Sequence, residues 1–361
     1  MPRLRMAVIG VGALGRHHAR ILSEMPDVEL VAVVDSRAEQ GNDIAAKCGA
    51  KWLPDYRELL SSNLIDAVSV VVPTIAHWQV AGDFLRAGMP VLVEKPLAAN
   101  VAQAHELVEL ASRHGALLQV GHIERFNPAF QVASERITNP KYIRAERAST
   151  YTFRSTDIGV VHDLMIHDID LVLSLVRSPL RSVEAFGMTV MGGHEDAVQA
   201  RLRFESGCIA DLTASRINPV AIRSLQAWSA AGCVTCDMHT REVRQYAPSD
   251  RLRFGPAPLD LARQPGADME QLKKDVFGQF IAVDAIPVDA SGPDALTREL
   301  LEFVDCVKTG RTPHVNGQDG LAAMLVADAV LQSVAQHQWD GRADGAIGPN
   351  PQRTTIHREA A

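Results

Sequence analysis

Residues 8–15 read VIGVGALG, and what stands on either side of them decides the fold. An apolar run, LRMAVI, leads in, and an apolar-periodic stretch from Ala13 to Met25 leads out. Gly10, Gly12 and Gly15 therefore hold G-x-G-x-x-G spacing at a strand-to-helix turn, with Ala13 and Leu14 completing the loop. Gly10 permits the tight turn, Gly12 lets the backbone approach a pyrophosphate, and Gly15 allows close packing of the helix. The helix N-terminus, with its unpaired N–H groups, attracts the anion. The next apolar run, VELVAVVD, ends in Asp35, 20 residues after Gly15, where a carboxylate accepts from ribose hydroxyls. That charge repels a 2′-phosphate, which favours NAD over NADP. Arg37, two residues on, pulls the other way, because a guanidinium stacks on adenine or holds that phosphate.

Outward from this loop the alternation continues. Helical SRAEQGNDIAAKCG (36–49) is followed by the short strand KWL (51–53) and a helix from Asp55. IDAVSVVVP (65–73) leads into a helix from Ile75 to Ala87, PVLVE (90–94) into one from Asn100 to His114, and ALLQVG (116–121) closes the series. The apolar runs are continuous rather than alternating, as in strands buried on both faces of a parallel sheet. Residues 1–122 are thus predicted to be an α/β Rossmann domain with a doubly wound parallel sheet.

Beyond Phe126 the pattern changes. A helix is expected at 129–137, then strands at 142–153, 181–191, 196–206, 208–216, 222–230, 233–238 and 241–247, with one helix at 162–176. Close turns such as ESG (205–207) and AAG (230–232) make these strands hairpin-like. The prediction is a C-terminal α+β domain, 123–340, with an open, mostly antiparallel sheet. Within it, 248–275 reads as a long excursion or loop, and helices are expected at 294–309 and 318–337. The polar stretch 341–361 is expected to be a poorly ordered tail.

A length of 361 residues fits two domains, and a hydrophobic share of 47% supplies a full core. No apolar run reaches the roughly 18 residues of a membrane span. The first strand begins by Leu4, leaving no room for a signal peptide, so a cytoplasmic location is expected. A net charge of −7 gives no basic footprint for nucleic acid. The five cysteines are odd in number and scattered, which argues against a disulfide framework. Cys233 and Cys236 form a C-x-x-C with no second pair beside it, so structural thiols are expected and no metal.

In open α/β sheets, ligands lie outside the carboxyl ends of the strands. Here those ends carry the glycine loop, Asp35, Pro73–His77, Glu94–Pro96 and Gly121–Arg125. Pro96 drives Lys95 out of the helical region and stops the strand, which aims the lysine at the expected nicotinamide position. The second cluster is HDLMIHDID (162–170). If 162–176 is α-helical, Asp163, His167 and Asp170 share one face, and a carboxylate beside an imidazole suits proton transfer. The plain alternative is an acid at a helix N-terminus and a satisfied histidine. A metal reading lacks a third ligand, and His162, five residues from His167, points elsewhere on an α-helix.

Taken together, the glycine loop, VVVPTIAHWQVA (70–81), Glu94-Lys95-Pro96, the D-x-x-x-H of Asp163 and His167, and the late ELLEFVDCVKTGRTPHVNGQDGLAAMLVADAVLQS resemble the Gfo/Idh/MocA oxidoreductases over nearly the whole chain. The resemblance implies that Lys95 and His167 are the catalytic pair, that Asp163 supports them, and that a cis peptide precedes Pro96. It places Pro73, Thr74, His77 and Glu94 along the cofactor. VGHIERFNPA (120–129) and DLMIHDIDL (163–171) look most like the bacterial branch that oxidises UDP-N-acetylglucosamine at C3 for lipopolysaccharide synthesis. The inositol and simple-sugar branches usually carry a glycine near Met165 and Ile166, which is absent here. A diphosphate substrate needs cations, and Arg125, Arg154 and Arg216, with Asn127, are candidates on the substrate side.

The expected reaction is hydride transfer to NAD from a secondary ring alcohol held between the domains, giving a 3-keto sugar for an aminotransferase. Rival expectations are an inositol, simple-sugar or UDP-sugar-acid dehydrogenase, and a non-catalytic NAD-binding sensor. Retention of Lys95, Asp163 and His167 argues against the sensor. The open sheet face suggests a homodimer or homotetramer.

Overall fold

The computed structural model describes residues 2–60, 63–153, 158–289 and 291–339, with the backbone of 342 and 343. They form two compact units: the first takes the chain up to Phe126 and Pro293–Asp328, the second Asn127–Gly292 and the residues from Ala329 on. The expected tail, apart from 342 and 343, lies outside the described residues, as does Arg154.

The first unit alternates β1 (Leu4–Ile9), α1 (Gly15–Glu24), β2 (Val28–Val34), α2 (Ala38–Cys48), β3 (Lys51–Leu53), α3 (Arg57–Leu60), β4 (Ala67–Val70), α4 (Thr74–Arg86), β5 (Val91–Glu94), α5 (Val101–His114) and β6 (Leu118–Gly121). The sheet order is β3-β2-β1-β4-β5-β6, and every neighbouring pair is parallel. Every residue of β4, β5 and β6 is buried, which is why those runs show no polar alternation. Strand order reverses between β1 and β4, so their carboxyl ends flank the crevice such folds use for a dinucleotide.

In the second unit α6 (Pro128–Arg136) and β7 (Tyr142–Ala148) precede a π-helical turn (Val161–Met165) that runs into α7 (Ile166–Val176). Then come β8 (Leu180–Met188), β9 (Ala197–Phe204), β10 (Ile209–Ser215), β11 (Ile222–Ser229), β12 (Gly232–Asp237) and β13 (Glu242–Pro248). Three short helices, α8 (Asp250–Phe254), α9 (Pro258–Ala262) and α10 (Met269–Asp275), lead to β14 (Ile281–Ile286). The sheet order is β14-β13-β12-β11-β7-β10-β9-β8. Only β7 and β10 pair in parallel. Strands β9 and β10 bury every second residue, and α6 packs on β12 and β13 while α7 packs on β7 and β10. One sheet face is therefore the covered one.

Four features differ from the sequence reading. The strand expected at 142–153 stops at Ala148. The supposed loop at 248–275 holds three helices, two with side-chain caps: Ser249 accepts from Leu252 N–H and Asp268 from Gln271 N–H. The unexpected β14 adds to β13 at the edge; its burial scarcely alternates, so no two-residue period marked it in the sequence. The fourth is the domain boundary. Of the two remaining helices, α11 (Ala295–Thr309) and α12 (Gly317–Gln336), the first lies in the first unit rather than in the 123–340 domain. Leu296, Leu300, Phe303 and Val304 form one helical stripe, and it packs in the same core cluster as Met6, Val8, Ala19 and Leu22. The start of α12 lies close against β6: a Cβ on Gly320 would come within 2.6 Å of Val120 Cγ2.

Candidate active site

The glycine loop is held by packing as well as by backbone freedom. Gly10 has φ +86°, and a Cβ there would approach Val71 O to 2.6 Å. A Cβ on Gly15 would overlap the Gly10 carbonyl oxygen, so α1 reaches the turn only through a glycine. Among the described residues outside the loop itself, only the Arg37 guanidinium comes near Gly12, 3.8 Å from where a Cβ would stand. The space beside the loop is thus open on the Gly12 side, which fits a pyrophosphate approaching the backbone. Ala13 and Leu14 are exposed at its mouth.

Asp35 is buried at the end of β2. Its Oδ2 accepts from Val11 N–H at 3.1 Å and its Oδ1 from Arg37 N–H at 2.9 Å. Oδ2 retains a lone pair for a ribose hydroxyl, whereas Oδ1 also accepts from Arg37 Nε at 3.4 Å. Gln40, which the sequence did not single out, donates from its side chain to Val11 O and helps fix the turn. Arg37 Nε lies 3.4 Å from Asp35 Oδ1, with most of its side chain in solvent.

At the next strand ends, Pro73 stands at the N-cap position of α4 without a side-chain cap, and Thr74 is the helix's half-buried first residue. His77, expected along the cofactor, has its ring nitrogens turned to the backbone. Its Nδ1 lies 2.8 Å from Pro96 O and its Nε2 2.9 Å from Val72 O, and the residue is buried. Burial pushes its pKa down, against the pull of the two carbonyls and Glu94. A neutral imidazole carries one N–H, so His77 donates to one of the Val72 and Pro96 carbonyls and packs against the other, bracing both turns.

The Lys95–Pro96 peptide is cis, as the resemblance implied. Lys95 is half-buried, and its N–H donates to Glu94 Oε2 at 3.3 Å. The Glu94 carboxylate lies over Gly121, where a Cβ would stand 2.9 Å from Glu94 Cδ. Its Oε1 is 3.2 Å from Nε2 of the buried His18, whose Nδ1 is 2.9 Å from Ser69 Oγ. Deeper in the unit stands Glu299 of α11; burial, with the negative charges of Glu94 and Glu302, holds its carboxyl well above the usual range. Lys95 therefore follows a buried polar row that sequence reading did not detect.

In the second unit Asp163 lies in the π-helical turn and His167 in the first turn of α7. The Ile166 N–H reaches Val161 O, five residues back, so α-helical spacing does not describe this segment. The dismissal of His162 on that spacing no longer follows. Asp163 and His167 are half-buried, but Asp170, expected on their face, is 1% exposed and belongs to the interior. A residue the sequence missed fixes the helix: Arg147 of β7 donates from Nε and Nη2 to Asp168 Oδ2 and Oδ1 at 3.0 and 2.8 Å, and both residues are buried. Such a fork-to-fork pair sets orientation as well as distance.

The substrate-side candidates fare differently. Arg125 sits buried on a 3-10 turn (Ile123–Phe126), 3.6 Å from Asp319 Oδ1. Asn127 is structural: its Oδ1 accepts from Ala129 N–H and its Nδ2 donates to Met238 O, so it caps α6. Arg216 is also structural. It is 4% exposed, donates from Nε to Asp196 Oδ1 at 2.7 Å and from Nη1 to Ile158 O at 2.8 Å, and its charge is met by Asp196. Arg154, as noted, lies outside the described residues. Among the described residues no cluster of three His, Cys, Asp or Glu side chains could hold a metal ion, and no helix is long and apolar enough to cross a membrane.

A parallel sheet with this glycine cradle, an acid at the end of β2 and a lysine at the end of β5 defines an NAD-dependent dehydrogenase. Residues 4–122 match the model of the oxidoreductase family with NAD-binding Rossmann fold, and residues 130–229 that of the GFO/IDH/MocA C-terminal domain. The chain belongs to the Gfo/Idh/MocA family. It is 37% identical to a UDP-N-acetylglucosamine 3-dehydrogenase of Acidithiobacillus ferrooxidans, over 92% of this chain and 96% of the relative. To an NAD(+)-dependent scyllo-inositol 2-dehydrogenase of Bacillus subtilis it is 27% identical, over 92% of this chain and 94% of that one. The solved structure of GnnA, the UDP-N-acetylglucosamine 3-dehydrogenase from Acidithiobacillus ferrooxidans, superposes with a TM-score of 0.79 at 29% identity, over 92% of this chain and 98% of that chain.

Proposed function

We propose that the chain oxidises the 3-hydroxyl of UDP-N-acetylglucosamine to a ketone, with NAD as acceptor. The observation that carries this reading is the 37% identity, across 92% of the chain, with an enzyme of that name, against 27% with the inositol enzyme. When bound, NAD supplies the hydride acceptor. Gly10, Gly12 and Gly15 admit its pyrophosphate, and Asp35 takes its ribose hydroxyls. The chain's own remaining task is the hydroxyl proton. Lys95 and His167 are the two groups for it, with Asp163 orienting the imidazole. Because Arg216 and Asn127 are spent on structure, Arg125 and Arg154 remain as diphosphate candidates. A ketone on an amino-sugar nucleotide is a natural substrate for an aminotransferase, which would pull an unfavourable oxidation forward.

The test is NADH formation from NAD with UDP-N-acetylglucosamine, other UDP-sugars, inositol and free sugars, each with a carbonyl trap. Turnover with the sugar nucleotide that is lost in Lys95→Ala supports the reading. Turnover only with inositol or a free sugar moves the chain to another branch of the family.

A further inference from the structure

We propose that Glu195 is a positioning residue for Asp163 and His167, acting through the head of the π-helical turn; this rests on the reading of that pair as proton-handling groups. The two N–H donors that open the turn both end on this one residue. Val160 N–H donates to Glu195 O at 3.0 Å, and Val161 N–H to Glu195 Oε1 at 3.2 Å. Donors at a helix head have no partner within the helix, so an outside acceptor must meet them. Gly159 shows how closely the acceptor sits: a Cβ there would overlap the Glu195 carboxylate.

Glu195 is itself held from behind. Asp196, wholly buried, accepts from Val190 and Met191 N–H at 2.7 Å each through Oδ2, and from Arg216 Nε through Oδ1. Arg216 returns to Ile158 O at 2.8 Å, immediately before Gly159. Ile158, Arg216, Asp196, Glu195 and Val161 thus close a ring around the entry to the turn. A π-helical turn is the less common way to wind this segment and needs such support. Burial raises the Glu195 carboxyl pKa, while the Val161 N–H, His194 and Arg216 pull it down, and an acceptor oxygen is present in either protonation state. The ring determines the rotation of the turn, and with it the directions in which Asp163 and His167 leave the helix.

The test compares Glu195→Ala, Glu195→Gln and Gly159→Ala for kcat, KM, NAD affinity and the pH profile of kcat/KM. Glu195→Gln keeps an oxygen for Val161 N–H and should restore most of kcat. Glu195→Ala and Gly159→Ala should lower kcat about 10- to 100-fold, the usual consequence of a displacement near 1 Å. They should also shift the acid limb of the profile and leave NAD affinity, a property of the first unit, unchanged. Should Glu195→Ala fail to fold, Glu195→Asp, one carbon short of Val161, carries the same expectation. Native kcat in the Ala variant, or an equal loss in the Gln variant, overturns the inference. Asp163→Asn and His167→Ala separate the two levels. If they leave turnover intact while Lys95→Ala abolishes it, the reading of the pair has failed; if they abolish turnover and Glu195→Ala does not lower it, only the Glu195 role has failed.

Discussion

Replacing Arg147 with methionine takes away the fork that holds Asp168, and the size of the effect follows from burial. The side chains are only 4% and 2% exposed, and the two hydrogen bonds are 3.0 and 2.8 Å long. Removing one partner of a buried pair costs about 3–5 kcal/mol, because the other charge stays in a medium that solvates it poorly. For a unit of this size each kcal/mol moves the melting temperature by roughly 2–4 °C, so a drop of about 6–20 °C is expected in the transition that melts the second unit. The sign with pH is also determined. In Arg147→Met the carboxyl of Asp168 is left buried without its guanidinium, so its folded pKa rises above the unfolded one. The variant is then most stable below the ordinary carboxylate range and loses stability as pH rises through the raised value. Its deficit against the native protein should be smaller near pH 5 than near pH 8. The double variant Arg147→Met/Asp168→Leu, with both polar groups gone, should recover most of the loss. Calorimetry at several pH values reads all three quantities. A deficit below about 1 kcal/mol that does not vary with pH would refute the argument that this pair is a desolvated charge pair.

Three further outcomes are expected. Gly15→Ala should abolish NAD binding measured by fluorescence titration, because its Cβ meets the Gly10 carbonyl, whereas Gly12→Ala, with open space around it, should weaken binding without unfolding the unit. Equal effects at both positions would contradict the packing described. Asp35→Asn removes the charge that faces a 2′-phosphate and should narrow the preference for NAD over NADP; an unchanged ratio of the two Kd values would deny Asp35 that role. Glu299 has its pKa held above the usual range, so its contribution is complete below the ordinary glutamate value and is lost as pH rises through the folded one. Glu299→Gln mimics the protonated acid, and its Tm should gain on that of the native protein as pH rises above the ordinary glutamate range. Parallel curves would mean that the carboxyl does not carry this penalty.

The parts of this molecule that were legible in the sequence are those set by local rules. The glycine loop demands residues at fixed spacing because turn, pyrophosphate and helix all meet within a few residues, and the structure returns each glycine with its reason. Asp35 was legible because a strand length fixes its distance from that loop. The antiparallel sheet was legible from its strand-like segments and the close turns between them, except for β14, whose residues scarcely alternate in burial. Where the reading failed, the missing information was a partner far along the chain. An arginine near a presumed substrate site looks the same in sequence whether it meets a diphosphate or a buried aspartate. Arg216 turned out to meet Asp196, 20 residues away, and Arg147 to meet Asp168, 21 away. Asn127 follows the same pattern, since its partner Met238 is 111 residues distant, and so does His77 with Pro96, 19 residues away.

These misreadings have a common physical origin. A site that must hold two side chains in one geometry needs its supporting polar groups desolvated and paired, and those groups are of the same chemical types as the ones that touch substrate. In this chain Arg147 holds α7 through Asp168, next to His167, and Arg216 holds the entry to the π-helical turn through Asp196 and Ile158. One arginine therefore anchors the helix that carries His167, and the other anchors the turn that carries Asp163. Burial is what the reading of Arg216 as a substrate ligand left out of account: a guanidinium only 4% exposed and already matched by a carboxylate has no charge to offer a diphosphate. If the substrate is the proposed sugar nucleotide, Arg125, 3.6 Å from Asp319 Oδ1, is the described cation left to test for its diphosphate. Arg125→Ala should accordingly raise KM for the sugar nucleotide more than it lowers the melting temperature, whereas Arg216→Ala should do the reverse. If both variants fall mainly in stability, Arg125 also belongs to the framework.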